Sequence, residues 1–120
     1  TSPFTLPEDI SGTLGKLTEG FDSALAVTPF YHFLWHEASS GAEGVNHRKD
    51  VRHRRQDRGE EWLETGSVYA FNSKQFRIQK HRFFDRVGIY PIAAERVLEI
   101  DSLTDFKLAE ARIHAFDLFR

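Results

Sequence analysis

Cysteine and methionine are both missing from the sequence. Without cysteine there are no disulfides and no thiolate metal sites, which is compatible with the reducing cytoplasm expected here. Without methionine, and with Thr1-Ser2-Pro3 at its start, the chain is expected to be a piece of a longer protein. No apolar run is long enough to span a bilayer, since the longest, Phe30 to Trp35, is broken by His32, and no signal peptide is evident. A membrane partner is therefore not expected. A strong excess of charge is absent too: the formal net charge is −2, which weighs against general nucleic-acid affinity. There is no glycine-rich phosphate loop, dinucleotide fingerprint or Gly-x-Ser-x-Gly nucleophile elbow. Six histidines without cysteine make no recognisable zinc pattern, because His32 and His36 are four apart in a segment that reads as strand.

What is present suffices for one domain with a core: 120 residues, 40% of them hydrophobic, including eleven Phe. Thr5-Leu-Pro-Glu8 has the form of a capping box, and Ile10, Leu14 and Leu17 follow at helical spacing, so a helix is expected from about Pro7 to Thr18, ended by Gly20. Ser23 to Thr28 reads as a buried strand. From Phe30 to Arg58 the character changes to an aromatic strand (Phe30 to Trp35), a turn (Ser39 to Gly44) and a basic stretch, an excursion from the main sheet. The aromatic ribbon suits burial against a partner subunit or against its own domain. Strands are expected at Ser67–Phe71, Arg86–Ile92 and Val97–Ile100. A final helix from near Ser102 should carry an apolar stripe of Phe106, Ala109, Ile113 and Phe116, with Lys107, Glu110 and Arg112 facing away. Strands alternating with helices imply an α/β fold.

Three groups of residues carry chemistry. Glu99 and Asp101 stand two apart where a strand gives way to a helix, so both carboxylates would face one side and could share a metal ion, with Mg²⁺ on a nucleotide's phosphates the natural occupant. The competing reading is a helix cap at Asp101 or Ser102 with a solvated Glu99. The stretch His47 to Arg58 holds six Arg or Lys in twelve positions. Its arginines could fork onto a phosphate or a carboxylate, or form a solvated loop paired with Asp50, Asp57, Glu60 and Glu61. Phe83-Phe84 precedes a strand among basic residues, so one ring could enter the core while the other lines a pocket.

Taken in order, Thr1-Ser-Pro-Phe-Thr, Arg55-Gln56, Glu64-Thr-Gly-Ser-Val-Tyr69, Phe83-Phe84 and Glu99-Ile-Asp-Ser-Leu-Thr-Asp-Phe106 resemble the acylneuraminate cytidylyltransferases over nearly the whole chain. The resemblance implies a partial nucleotide-diphospho-sugar-transferase-like (Rossmann-like) sheet, with residues 30–58 as a small dimerisation excursion and residues 1–120 as the carboxyl-terminal part of one cytidylyltransferase domain. It implies transfer of CMP from CTP to the anomeric hydroxyl of an acylneuraminate or related 2-keto sugar acid, releasing pyrophosphate, by a cytoplasmic homodimer using Mg²⁺. Thr1-Ser-Pro3 resembles the end of a Gln-Pro-Thr-Ser-Pro motif, followed here by Phe4-Thr5 in place of Leu-Arg.

The same resemblance implies roles. Arg55 is the candidate for the sugar carboxylate and, with Asp101, a catalytic residue. Gln56, Thr65, Tyr69, Phe83 and Phe84 would contact substrate, Thr65 standing where Asn is usual. Asp101 and Glu99 would hold the metal, Glu99 replacing the first Asp of Asp-Ile-Asp. The family's CTP-binding loop has no counterpart in this sequence, so the 120 residues alone are expected to be inactive. Another sugar acid, 3-deoxy-manno-octulosonate or another nonulosonate, is the alternative substrate. The alternative class is a non-catalytic dimerisation or anion- and nucleic-acid-binding module.

Overall fold

The computed structural model describes residues 1–119 and has α/β architecture. Two compact units make up the chain: one of residues 1–28 and 63–120, the other of residues 29–62.

The first unit opens with helix α1, Pro7–Gly15, continued by a 3₁₀ segment, Lys16–Glu19, and ended by Gly20. The start differs from the expected Thr5/Glu8 box. Leu6 is the N-cap, its N–H donates to Asp9 Oδ2 at 2.8 Å, and the Thr5 hydroxyl turns back to the Ser2 carbonyl at 3.1 Å. Asp9 is preferred because it also has a buried cation to meet, Arg96. Strand β1, Ser23–Pro29, is buried from Ser23 to Thr28, as its nearly unbroken apolar sequence requires. It lies between β4, Trp62–Phe71, and β5, Val87–Pro91, and runs parallel to β5 with Ser23 opposite Val87 and Val27 opposite Pro91. Between β4 and β5 sits the short helix α2, Ser73–Gln79, whose N-cap Asn72 accepts from the Lys74 and Gln75 N–H groups. Gly12 lets α1 close on β5, because the Tyr90 ring fills the place a side chain at Gly12 would need.

Val97–Ile100 is not a strand. A 3₁₀ turn, Ala94–Arg96, precedes it, the Val97 carbonyl accepts from Arg112 Nη1 at 2.5 Å, and the Ile100 N–H donates to the Thr1 carbonyl at 2.8 Å. Its backbone groups are thus satisfied outside a sheet ladder. Helix α3, Leu103–Phe116, starts where expected, with Ser102 as N-cap and a reciprocal Ser102–Asp105 box. The box holds the Asp105 carboxyl below its usual range, through the Ser102 hydroxyl first and the Asp101 and Ser102 N–H groups with it. Of the anticipated stripe only Ala109 is buried, while Phe106, Ile113 and Phe116 are exposed. Arg112, expected to face away, turns inward to the Glu95 and Val97 carbonyls.

The second unit contains a two-stranded antiparallel ribbon, β2 (Trp35–Ala38) and β3 (Gly41–Gly44), with Trp35 opposite Gly44. Two corrections arise here. Residues 30–34 form no strand, because side chains take up their backbone groups: Arg58 donates to the Tyr31 carbonyl at 2.5 Å, and Asn46 bonds both the His32 carbonyl and the Leu34 N–H at 2.9 Å. The turn is confined to Ser39-Ser40, which lets residues 41–44 pair back as β3.

Candidate functional site

Most of the residues singled out by sequence fall in the first unit, on β4, on the approach to β5 and on the segment before α3. On β4, Gly66 takes φ +73° in the left-handed region, and the Glu99 carboxylate lies against its backbone, where a Cβ would collide. Thr65, next to it, is buried, donates its hydroxyl to the Ala26 carbonyl at 3.0 Å and shares a 2.8 Å contact with the Ser67 hydroxyl. Its polar capacity is spent within the fold. Further along the strand, the Tyr69 hydroxyl donates to Glu64. Burial pushes the Tyr69 phenol upward first, and the Glu64 bond and charge push it the same way, against a smaller downward pull from Arg82.

Around Tyr69 the aromatic and cationic side chains converge. Phe83 meets its ring edge-on at a centroid distance of 5.8 Å, and the Arg82 guanidinium carbon lies 3.9 Å from the Tyr69 centroid and 5.6 Å from that of Phe83. Phe84 goes to the core, only 5% exposed, held by two hydrogen bonds between its backbone and the Ser23 hydroxyl. The Phe pair therefore divides between a partly exposed platform and the interior, as adjacent residues on an extended chain do. Glu99 closes the cluster, near enough to Tyr69 to act on its phenol.

Glu99 and Asp101 are both exposed, with the partly covered Ile100 between them. Among the described residues neither carboxylate is engaged by a Lys or Arg, and no group of three or more His, Asp or Glu gathers as a metal cluster. Because Val97–Ile100 forms no strand, the alternation expected to turn both carboxylates to one side is missing, and what the pair retains is its chemistry, two hard-oxygen donors of the type that Mg²⁺ takes.

Arg55 and Gln56 belong to the second unit, in a 3₁₀ turn, Arg55–Asp57, and both are exposed. The Arg55 guanidinium lies 3.4 Å from the centroid of Tyr31. Stacking occupies the face of the planar group and leaves its in-plane N–H donors for a carboxylate. Sequence reasoning passed over Glu64 and Arg82, the polar partners of Tyr69. Glu64 opens the very motif that ends in Tyr69, so the five-residue spacing was the available signal.

No model of a protein family matches the chain. Over 124 aligned residues and 99% of its length, the chain is 31% identical to N-acylneuraminate cytidylyltransferase A and to N-acylneuraminate cytidylyltransferase B of Danio rerio. It is 29% identical to N-acylneuraminate cytidylyltransferase of Oncorhynchus mykiss, again over 99% of its length. The likeness to N-acylneuraminate cytidylyltransferases thus runs over nearly the whole chain. The chain spans 28–29% of the length of these curated relatives.

Proposed function

We propose that the intact protein transfers CMP from CTP to the anomeric hydroxyl of an N-acylneuraminate or a closely related 2-keto sugar acid, with release of pyrophosphate. The observation that carries this reading is the convergence of Tyr69, Phe83 and Glu99, each from a motif that resembles one of the family's, in one compact unit. The three-stranded sheet fits as part of a larger nucleotide-diphospho-sugar-transferase-like (Rossmann-like) sheet.

In this reading Arg55 orients the sugar acid by forking onto its carboxylate, its face steadied by Tyr31. Tyr69 and Phe83 bear on the sugar body, and Phe84 supports Phe83 from the core. Thr65 acts at one remove by holding β4 to the Ala26 carbonyl, and exposed Gln56 stands beside Arg55 as a further polar contact. Glu99 and Asp101 would hold Mg²⁺, which when bound supplies charge neutralisation on the triphosphate and the departing pyrophosphate. The sugar oxygen forms a bond to the α-phosphorus in line as the bond to pyrophosphate breaks. Positioning and charge stabilisation carry the acceleration.

Exposed Leu34, Trp35 and Val45 in the second unit favour a homodimer formed through it. No described helix is long and apolar enough to cross a membrane. The test is pyrophosphate release from CTP, N-acetylneuraminate and Mg²⁺ by the intact protein. Asp101→Asn should abolish most Mg²⁺-dependent turnover, and Arg55→Ala should mainly raise the KM for the sugar acid. Unchanged kinetics in either variant removes that residue from the site. The 120 residues by themselves should show no turnover. Oligonucleotide binding that falls steeply with salt, without pyrophosphate release, would instead favour the binding-module reading.

A further inference from the structure

Tyr69 has one hydroxyl proton, and it is committed to Glu64. The phenol oxygen therefore offers only lone pairs to a ligand, and the Glu64 carboxylate likewise only accepts. Arg82 lies over the Tyr69 ring and Phe83 abuts its edge, so the side chain is fixed by packing as well as by the hydrogen bond. Two acceptors joined by one proton sit side by side on the exposed edge of the aromatic platform, with the Glu99 carboxylate near them adding negative charge. Such an edge offers adjacent lone pairs and welcomes neighbouring hydrogen-bond donors.

We propose that Glu64 is a specificity-determining residue: with Tyr69 it forms an acceptor-only pair that selects sugar acids presenting vicinal hydroxyls, and so reads the polyol portion of the substrate rather than its acid group. The inference rests on the proposed function. Glu64 with Tyr69 recognises the diol. Arg82 is a positioning residue that holds the Tyr69 ring.

The experiment compares two acceptors with the intact protein: N-acetylneuraminate, and the same acid with its side-chain triol cut back to a single primary hydroxyl by exhaustive periodate cleavage and borohydride reduction of its methyl glycoside, the glycoside then being hydrolysed to restore the anomeric hydroxyl. Both kcat/KM and calorimetric binding without CTP are measured for the wild type, Glu64→Gln and Tyr69→Phe. Glu64 is exposed, so Glu64→Gln should fold normally while placing an N–H₂ donor where an acceptor stood. The wild type should prefer the full-length acid, and each variant should lose about tenfold of that preference, chiefly in KM and in binding. The double variant should lose little more than either single one, because the pair acts as a unit. An unchanged preference in Glu64→Gln overturns the inference and leaves the proposed function standing. A wild type that transfers CMP to neither acid overturns both.

Discussion

Replacing Asp9 by Asn isolates the most deeply buried charge in the structure. The Asp9 side chain is 2% exposed and that of Arg96 17%, and two parallel bonds join them, Arg96 Nη1 to Oδ2 and Arg96 Nη2 to Oδ1, the latter 2.9 Å. Burial alone would raise the Asp9 carboxyl, but the Arg96 fork and the Leu6 N–H outweigh it and hold the group below its usual range. The same pairing raises Arg96. In Asp9→Asn the amide N–H₂ must face a guanidinium donor, or the amide must flip and abandon the Leu6 N–H. Losing two charge-assisted bonds and leaving a largely buried cation should cost about 3 kcal/mol at neutral pH, the low end for a broken buried pair because Arg96 keeps some water. Urea unfolding of the intact protein followed by circular dichroism measures this directly.

The pH dependence has a definite sign. A carboxyl depressed in the folded state contributes stability that is present above its unfolded pKa and is lost as pH falls through the folded value. The gap between wild type and Asp9→Asn should therefore be full at neutral pH and shrink below about pH 4. Exchanging both partners, Asp9→Leu with Arg96→Met, should recover most of the loss. A single-variant cost within about 0.5 kcal/mol of zero, or a gap that widens in acid, would refute the assignment of this pair as the tie between α1 and the turn before α3.

Gly12→Ala should destabilise by about 1–2 kcal/mol in the same urea assay, since crowding the Tyr90 ring outweighs the roughly 1 kcal/mol gained in helix propensity. A stabilised variant would mean that α1 does not close on β5 through this glycine. Thr65→Val should cost about 1–2 kcal/mol by stranding the Ala26 carbonyl, and Thr65→Ser should restore most of it, which separates the hydrogen bond from packing. Thr28 is buried and its hydroxyl has no hydrogen-bond partner among the described residues, so Thr28→Val should raise stability by about 1 kcal/mol. A fall in stability would show that the hydroxyl is satisfied in the intact protein.

Local signals made much of the first unit legible. Pro7, Gly20 and the unbroken apolar run of β1 announced α1 and the central strand, and a cap at Asp101 or Ser102 announced the start of α3. Expectations failed where long-range partners decide. Val97–Ile100 has strand composition, but Arg112 and Thr1 claim its backbone groups. Phe30–Leu34 is aromatic enough for a strand, yet Asn46 and Arg58, twelve or more positions away, bond its carbonyls and N–H groups first. At the site, residue types in ordered motifs pointed to Tyr69 and Phe83. The depth of Phe84 and the internal commitment of Thr65 depend on Ser23 and Ala26, which no spacing rule connects to them.

The basic run shows why composition alone misreads a cluster of arginines. Arg52 and Arg58 place their guanidinium carbons 4.3 and 4.1 Å from the centroid of Phe33, and Arg58 also bonds the Tyr31 and His32 carbonyls and pairs with Glu61 at 3.4 Å. With its side chain only 10% exposed, Arg58 is a structural element of the second unit. Arg48 pairs with Asp50 at 2.6 Å, as the solvated-loop reading supposed. Arg55 and Arg52 differ from Arg48 and Arg58: each lies over an aromatic face, Tyr31 and Phe33 respectively, and among the described residues neither is engaged by a carboxylate. The net charge of −2 reflects 18 Asp or Glu against 16 Lys or Arg over the whole chain, so the basic run is local, and part of it is used in covering aromatic rings. A guanidinium stacked on a ring keeps its in-plane N–H donors, so a high count of arginines does not by itself say which of them bind an anion.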